Sequence, residues 1–112
     1  MKGEIFGPIL PILTMDSFED KCEFVKNRDK PLCAYIFTKD IDKVKCFLRE
    51  TSSGGVTVND TMEHAFVSTL PFGGVGNSGM GRITGKYGFD TFVHDKPILI
   101  RKGLGRDLLD LL

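Results

Sequence analysis

The 112-residue chain is poor in several things that would have narrowed its role at once. It has no tryptophan, only two histidines and only three cysteines. It also has no excess of either charge, with fifteen basic and fifteen acidic residues. That balance excludes a dedicated nucleic-acid binder, which carries a basic surplus. No run of eighteen apolar residues occurs, so no membrane span is expected in this chain. The opening MKGEIFGPILPIL is a poor leader sequence: Glu4, Pro8 and Pro11 interrupt it, and no small-residue cleavage site follows. Cys22, Cys33 and Cys46 are 11 and 13 positions apart, which fits no zinc pattern. An odd count is also a poor disulfide framework, so a reducing, cytoplasmic setting is expected. Cys22 and Cys46 fall on helix faces and Cys33 inside a strand, where each reads as a small buried hydrophobe. His64 and His94 have no Cys, Asp or Glu at metal-ligand spacing, so no metal site is expected. Both read as surface or locally satisfied histidines. No G-x-S-x-G elbow or H-E-x-x-H helix is present, and no catalytic set is complete within the chain.

What is present is an ordinary folding composition, with 41% hydrophobic and 27% charged residues. Residues 8–14, PILPILT, read as a short strand with an irregular start. Ser17 followed by Asp20 is a capping pattern, and Phe18, Cys22 and Val25 recur at helical spacing through Asn27. Residues 32–38, LCAYIFT, read as a strand. Lys39-Asp40 opens a second helix, on which Ile41, Val44 and Leu48 share a face. Ser52-Ser53-Gly54-Gly55 ends it, and Val56-Thr57-Val58 reads as a third strand. Strand-helix-strand-helix-strand favours parallel strands flanked by helices, an α/β class. Three strands are few for such a sheet, so a truncated sheet of marginal stability is expected.

The second half changes character. Residues 59–88 carry Gly73, Gly74, Gly76, Gly79, Gly81, Gly85 and Gly88 with little periodicity, and a loop of that length is usually functional. Gly85 to Val93 reads as a short helix with Phe89 and Phe92 on one side. Residues 97–101 read as a strand. Gly74-Val75-Gly76-Asn77-Ser78-Gly79 fits G-x-G-x-x-G literally, but no strand leads into it and no helix opens from it, so a dinucleotide fingerprint is rejected. Asn59-Asp60-Thr61 is a glycosylation sequon on paper, unused without secretion.

Five segments together resemble one family. Glu4-Ile5-Phe6-Gly7-Pro8 is similar to the E-x-F-G-P segment of aldehyde dehydrogenases. The stretch from Leu70 to Gly81, LPFGGVGNSGMG, resembles the corresponding stretch of the class 3 branch, which includes the fatty aldehyde dehydrogenases. Pro31 to Asp40, Ser52 to Thr61 and Phe89 to His94 resemble further family segments in order and at family-like spacing. The resemblance covers roughly residues 4–101.

The resemblance implies a C-terminal portion of an NAD- or NADP-dependent enzyme that oxidises aldehydes. In that reaction a thiolate attacks the aldehyde, hydride passes to the nicotinamide, and water hydrolyses the thioester. It implies a partial Rossmann-like catalytic-domain sheet with flanking helices, a glycine-rich loop and a C-terminal bridging strand. Residues 1–93 would belong to the catalytic domain, 94–102 to an oligomerisation strand joining a homodimer, and 103–112 to a tail. By resemblance, Glu4 would bond the nicotinamide ribose hydroxyls and Phe6 would pack against the nicotinamide ring. Judged on the residues alone, Glu4 is a solvated charge and Phe6 a core residue. By resemblance too, Asn59, Met62, Ala65 and Phe72 would line the path of the aldehyde substrate, with backbone scaffolding the competing role for Asn59.

Departures from the family pattern matter as much. The segments that carry the nucleophilic cysteine and the catalytic glutamate are absent, as is the domain that holds most of the cofactor. Cys33 stands where the family usually has alanine, so it is not read as a replacement nucleophile. No hydrophobic anchor of the kind found in some fatty aldehyde dehydrogenases follows Lys102, although a parent enzyme could associate with an internal membrane. The 112 residues alone are expected to be inactive. The competing expectation is a short, catalytically dead product that binds a full-length subunit.

Overall fold

A computed structural model describes residues 3–99. Five regular elements follow one another: α1 (Phe18–Lys26), β1 (Cys33–Ile36), α2 (Ile41–Glu50), β2 (Gly55–Val58) and α3 (Gly85–Thr91). Helices flank a small parallel sheet, the α/β arrangement that the alternating order implies.

Local chemistry sets the helix boundaries. Ser17 caps α1, its Oγ accepting the Asp20 N–H at 3.0 Å. Asn27 closes the same helix, with its backbone N–H on the Glu23 carbonyl and its side-chain amide on the Glu23 carboxylate at 2.8 Å. Asp40 caps α2 by accepting the N–H groups of Asp42 at 3.0 Å and Lys43 at 3.3 Å. Those donations, Lys43 first and then Asp42, hold the Asp40 carboxyl below the ordinary carboxylate range.

β1 and β2 pair in parallel with Cys33 opposite Gly55, Ala34 opposite Val56, Tyr35 opposite Thr57 and Ile36 opposite Val58. Alternation along each strand gives the sheet two faces. Ala34, Ile36 and Val56 turn to the helices, where Cys22, Ile36 and Phe47 form a buried cluster flanked by Phe18 and Val25. Cys33, Tyr35, Gly55 and Thr57 belong to the opposite face. The α1 stripe of Phe18, Cys22 and Val25 packs as its spacing indicates. The α2 stripe differs. Val44 and Phe47 are buried, whereas Ile41 and Leu48 are exposed. A 3.6-residue period allows either neighbour of Val44 to join it. The helix turns the side chain that can reach Cys22 and Ile36 inward, and that side chain is Phe47.

The strand expected at 8–14 does not form. Residues 8–14 pair with nothing and are exposed throughout, Leu10 by 84% and Ile12 by 81%. A strand exists only through its neighbour, and β1 and β2 pair only with each other among the described residues. Pro8 and Pro11 also have no N–H to offer a ladder. Residues 97–99 have no strand partner among the described residues, and Ile98 and Leu99 are exposed. Ile100 and Arg101, the rest of that expected strand, lie outside the described residues, as does the 103–112 tail. Phe89 in α3 and Phe92 at its C-cap are both exposed.

The Asp40 cap leads to a pH prediction. Because the folded carboxyl is shifted down, its contribution is complete above the ordinary carboxylate value of 3.8 and is lost as pH falls below it toward the lowered folded value. Helical signal in far-UV circular dichroism is expected to fall over that acid interval. Asn at position 40 still caps but does not titrate, so Asp40→Asn should shrink that fall; an identical acid transition in the variant would count against the capping role.

Candidate functional site

The carboxyl ends of the two strands meet at Asn59. In parallel sheets, ligand crevices form beyond these ends. Asn59 takes a left-handed conformation with φ 60° and reaches back across the sheet edge. Its Oδ1 accepts the Thr38 N–H at 2.8 Å and its Nδ2 donates to the Thr38 carbonyl at 3.0 Å. The residue after β2 is thereby clamped to the residues after β1. Asparagine suits this place because it tolerates positive φ and offers one donor and one acceptor.

Beyond Asn59 the chain turns at Met62, also left-handed with φ 61°, into a 3-10 turn over Glu63–Ala65. That turn lays His64 back over the face of the sheet opposite the helices. His64 is buried at 9% exposure. Its Nδ1 is 2.7 Å from Thr57 Oγ1 and its Nε2 is 3.2 Å from Cys33 Sγ. The rings of Tyr35 and Phe72 flank it at centroid distances of 6.1 and 5.7 Å. Gly55 makes room for the imidazole, since a Cβ there would stand 2.8 Å from His64 Cδ2.

Phe72 is fixed by a two-way backbone bridge with Ile83, at 3.0 and 2.8 Å. The glycine-rich stretch between them folds back tightly. Gly76–Ser78 is a 3-10 turn, and Ser78 Oγ accepts the Val75 N–H at 2.9 Å and donates to the Val75 carbonyl at 3.0 Å. The literal G-x-G-x-x-G thus folds as a closed turn with no strand leading directly into it. At Gly74 a side chain would collide with the Ser78 and Gly79 backbone, so glycine is required there.

Of the residues singled out in the sequence, Met62, Ala65 and Phe72 gather around His64, with Met62 exposed and Ala65 and Phe72 half-buried. Asn59 belongs to the same edge, with its side chain committed to Thr38. Glu4 and Phe6 lie apart. They are on an exposed N-terminal segment whose backbone bonds are two tight local turns, Gly7 to Ile5 and Ile9 to Gly7. Phe6 is 92% exposed, so it is not the core residue that its type alone would make it. A surface cleft of about 380 Å3, lined by residues including Asp16, Phe18, Ile36 and Lys43, contains none of the six.

Two readings of the sequence are corrected here. His64 is not a surface residue, and one of its two partners lies 31 positions away. Cys33 is not a fully buried hydrophobe; it is half-buried with its thiol on an imidazole. Cys22 is buried, as read, and Cys46 is half-buried. Burial, then Cys46, pushes the Cys22 thiol above its ordinary value. His94 is exposed. No group of three or more His, Cys, Asp or Glu among the described residues could hold a metal ion.

The class to which this fold and edge belong is settled by comparison with known proteins. The family model described as the aldehyde dehydrogenase family matches residues 1–98. The chain belongs to the aldehyde dehydrogenase family. It is 54% identical over 104 residues to aldehyde dehydrogenase family 3 member A2 of Rattus norvegicus, covering 93% of this chain and 21% of that protein. It is 48% identical over 107 residues to the dimeric NADP-preferring aldehyde dehydrogenase of the same organism, covering 96% of this chain and 24% of that protein. The chain therefore spans about a fifth to a quarter of the length of these relatives. Among solved structures, the substrate-bound AldH of Staphylococcus aureus superposes with a TM-score of 0.81 at 47% identity, over 91% of this chain and 23% of that one. A betaine aldehyde dehydrogenase of Staphylococcus aureus in complex with NAD+ superposes with a TM-score of 0.76 at 25% identity, over 88% of this chain and 21% of that one.

The Asn59 clamp generates a measurable expectation. Asn59→Ala removes both bonds to Thr38 and leaves a Cβ residue at positive φ, which together should cost about 2 kcal/mol locally. Hydrogen exchange of the Thr38 amide should accelerate by about tenfold or more, since 1.4 kcal/mol is a factor of ten. Unchanged exchange would show that the clamp does not hold the strand ends together.

Proposed function

We propose that this chain supplies one wall of the active site of an NAD(P)-dependent aldehyde dehydrogenase, the C-terminal portion of an enzyme that oxidises aldehydes to carboxylic acids. The observation that carries this reading is the family match over residues 1–98, with both cofactor-side residues inside it and open.

The residues present fit the cofactor. The Glu4 carboxylate is exposed and can accept two hydrogen bonds from a vicinal diol, as a nicotinamide ribose presents. Phe6 offers an uncovered aromatic face that can back a nicotinamide ring. Bound there, NAD or NADP supplies the hydride acceptor. Phe72, Met62 and Ala65 would border the path of the aldehyde, with Phe72 held by its bridge to Ile83 and its packing on His64. Asn59 would shape the same path from the sheet edge while tied to Thr38. None of these six residues is a nucleophile for an aldehyde, so the thiolate and the general base must come from elsewhere in the active enzyme.

Pairing with a second copy would run through the apolar segment at Ile98 and Leu99, which lies exposed and unpaired as a strand awaiting a neighbour would. The relative named as dimeric is in keeping with a homodimer. Among the described residues, no helix is long and apolar enough to cross a membrane. The three free cysteines suit a reducing, cytoplasmic compartment.

The 112-residue chain, incubated with NAD or NADP and a medium-chain aldehyde, is expected to give no turnover above a heat-treated blank; turnover would overturn the assignment. The residue roles are tested by placing these 112 residues at the matching positions of the rat family 3 member A2 enzyme. In that chimaera, Glu4→Gln should raise the KM for the nucleotide by about tenfold, the effect of weakening hydrogen bonds to a charged group. Phe72→Ala should instead raise the KM for the aldehyde. No change in either parameter would sink the corresponding role.

A further inference from the structure

Cys33, His64 and Thr57 form a line that the wall described above does not use. The sulfur is 3.2 Å from one ring nitrogen of His64, and the other ring nitrogen is 2.7 Å from the Thr57 hydroxyl. This is the arrangement of a nucleophile, a base and a group that orients the base. The two strands place Cys33 and Thr57 on the same face of the sheet, two pairs apart in the register, and Gly55 leaves the space between them for the ring. His64 is 9% exposed and walled by Tyr35 and Phe72, so the imidazole has little freedom to leave.

The line is consistent in its charged form as well as its neutral one. With the thiol proton on Nε2, both ring nitrogens carry hydrogens. One then donates to the sulfur and the other to Thr57 Oγ1, so the ion pair leaves no ring donor unsatisfied. The other two thiols have no such partner. Cys22 is 4% exposed, and it and Cys46 interact with each other rather than with a histidine. Cys33 itself is half-buried, within reach of a small reagent.

We propose that Cys33 is a nucleophilic thiol, activated by His64 and Thr57, and a modification site for soft carbon electrophiles that carry a carbonyl-conjugated double bond. The thiol proton passes from Sγ to His64 Nε2. The sulfur forms a bond to the β-carbon of the electrophile, and the π pair moves toward the carbonyl. His64 Nε2 then returns the proton to the α-carbon. The adduct is the sum of thiol and electrophile, with no leaving group and no oxidant.

The test uses the full chain and N-ethylmaleimide, with the modification rate of each cysteine read by peptide mass mapping. Rates in concentrated guanidinium give the reference for each thiol. Relative to that reference, Cys33 should react about a hundredfold faster than Cys46, the low end of what a positioned base contributes. His64→Gln should slow Cys33 by about the same factor and leave Cys46 unchanged. Thr57→Val should slow it less, and Thr57→Ser should restore the rate. The direction separates activation from packing. If His64 merely filled space, its loss would loosen the sheet and make Cys33 and Cys22 react faster. Equal native rates for Cys33 and Cys46, or a Cys33 rate that rises or stays constant in His64→Gln, would overturn the proposal. Should His64→Gln fail to fold, Thr57→Val against Thr57→Ser decides alone, and equal Cys33 rates in those two variants would overturn it.

Discussion

The parallel register of β1 with β2 is the constraint from which the rest of the structure follows. Cys33 opposite Gly55 and Tyr35 opposite Thr57 put four side-chain positions on one face; Ala34 opposite Val56 puts the apolar pair on the other. Shifting the pairing by one residue would exchange the faces. Ile36 would leave the cluster with Cys22 and Phe47, and Gly55 would no longer lie beneath the His64 ring. Core and polar line are therefore alternative sides of the same four backbone pairs. The N-caps at Ser17 and Asp40 fix where α1 and α2 begin, and Asp40 starts α2 four residues after β1 ends.

The edge of this small sheet is held by a few directional contacts rather than by buried area. Asn59 ties the segment after β2 to the segment after β1, and the Phe72–Ile83 bridge closes the glycine-rich stretch. Close backbone approach replaces side-chain packing there, as at Gly74 against Ser78. In contrast, the apolar side chains of Ile9, Leu10, Ile12, Leu13, Ile98 and Leu99 are mostly exposed in the described structure. Surface of that kind is stable in water only when something covers it.

Much of the architecture was legible in the residues. Both longer helices and their caps, the two paired strands and their parallel direction follow from short-range signals: a capping hydroxyl or carboxylate, a 3.6-residue apolar period, and β-branched or aromatic runs bounded by glycine. The family is legible for a different reason, since a dozen glycine-rich positions in one order are rarely met by chance. Less legible was the choice of Phe47 over Leu48, because both satisfy the helical period and only contact with Cys22 and Ile36 selects between them. The strand expected at 8–14 was misread because strand propensity describes a side chain's fitness for a sheet, not the presence of a neighbour to pair with.

By itself the sequence determined the local elements, the α/β order and membership of the aldehyde dehydrogenase family. Each of these is encoded within a few consecutive residues or in a linear pattern of them. Only the tertiary structure decided what lies against what. It turned Asn59 back onto Thr38, brought Phe72 against His64, and set Cys33 and Thr57 on the two nitrogens of that ring across 31 and 7 positions of chain. No linear pattern carries such contacts, because they arise from parallel pairing and two left-handed turns acting together, and neither can be read without the other.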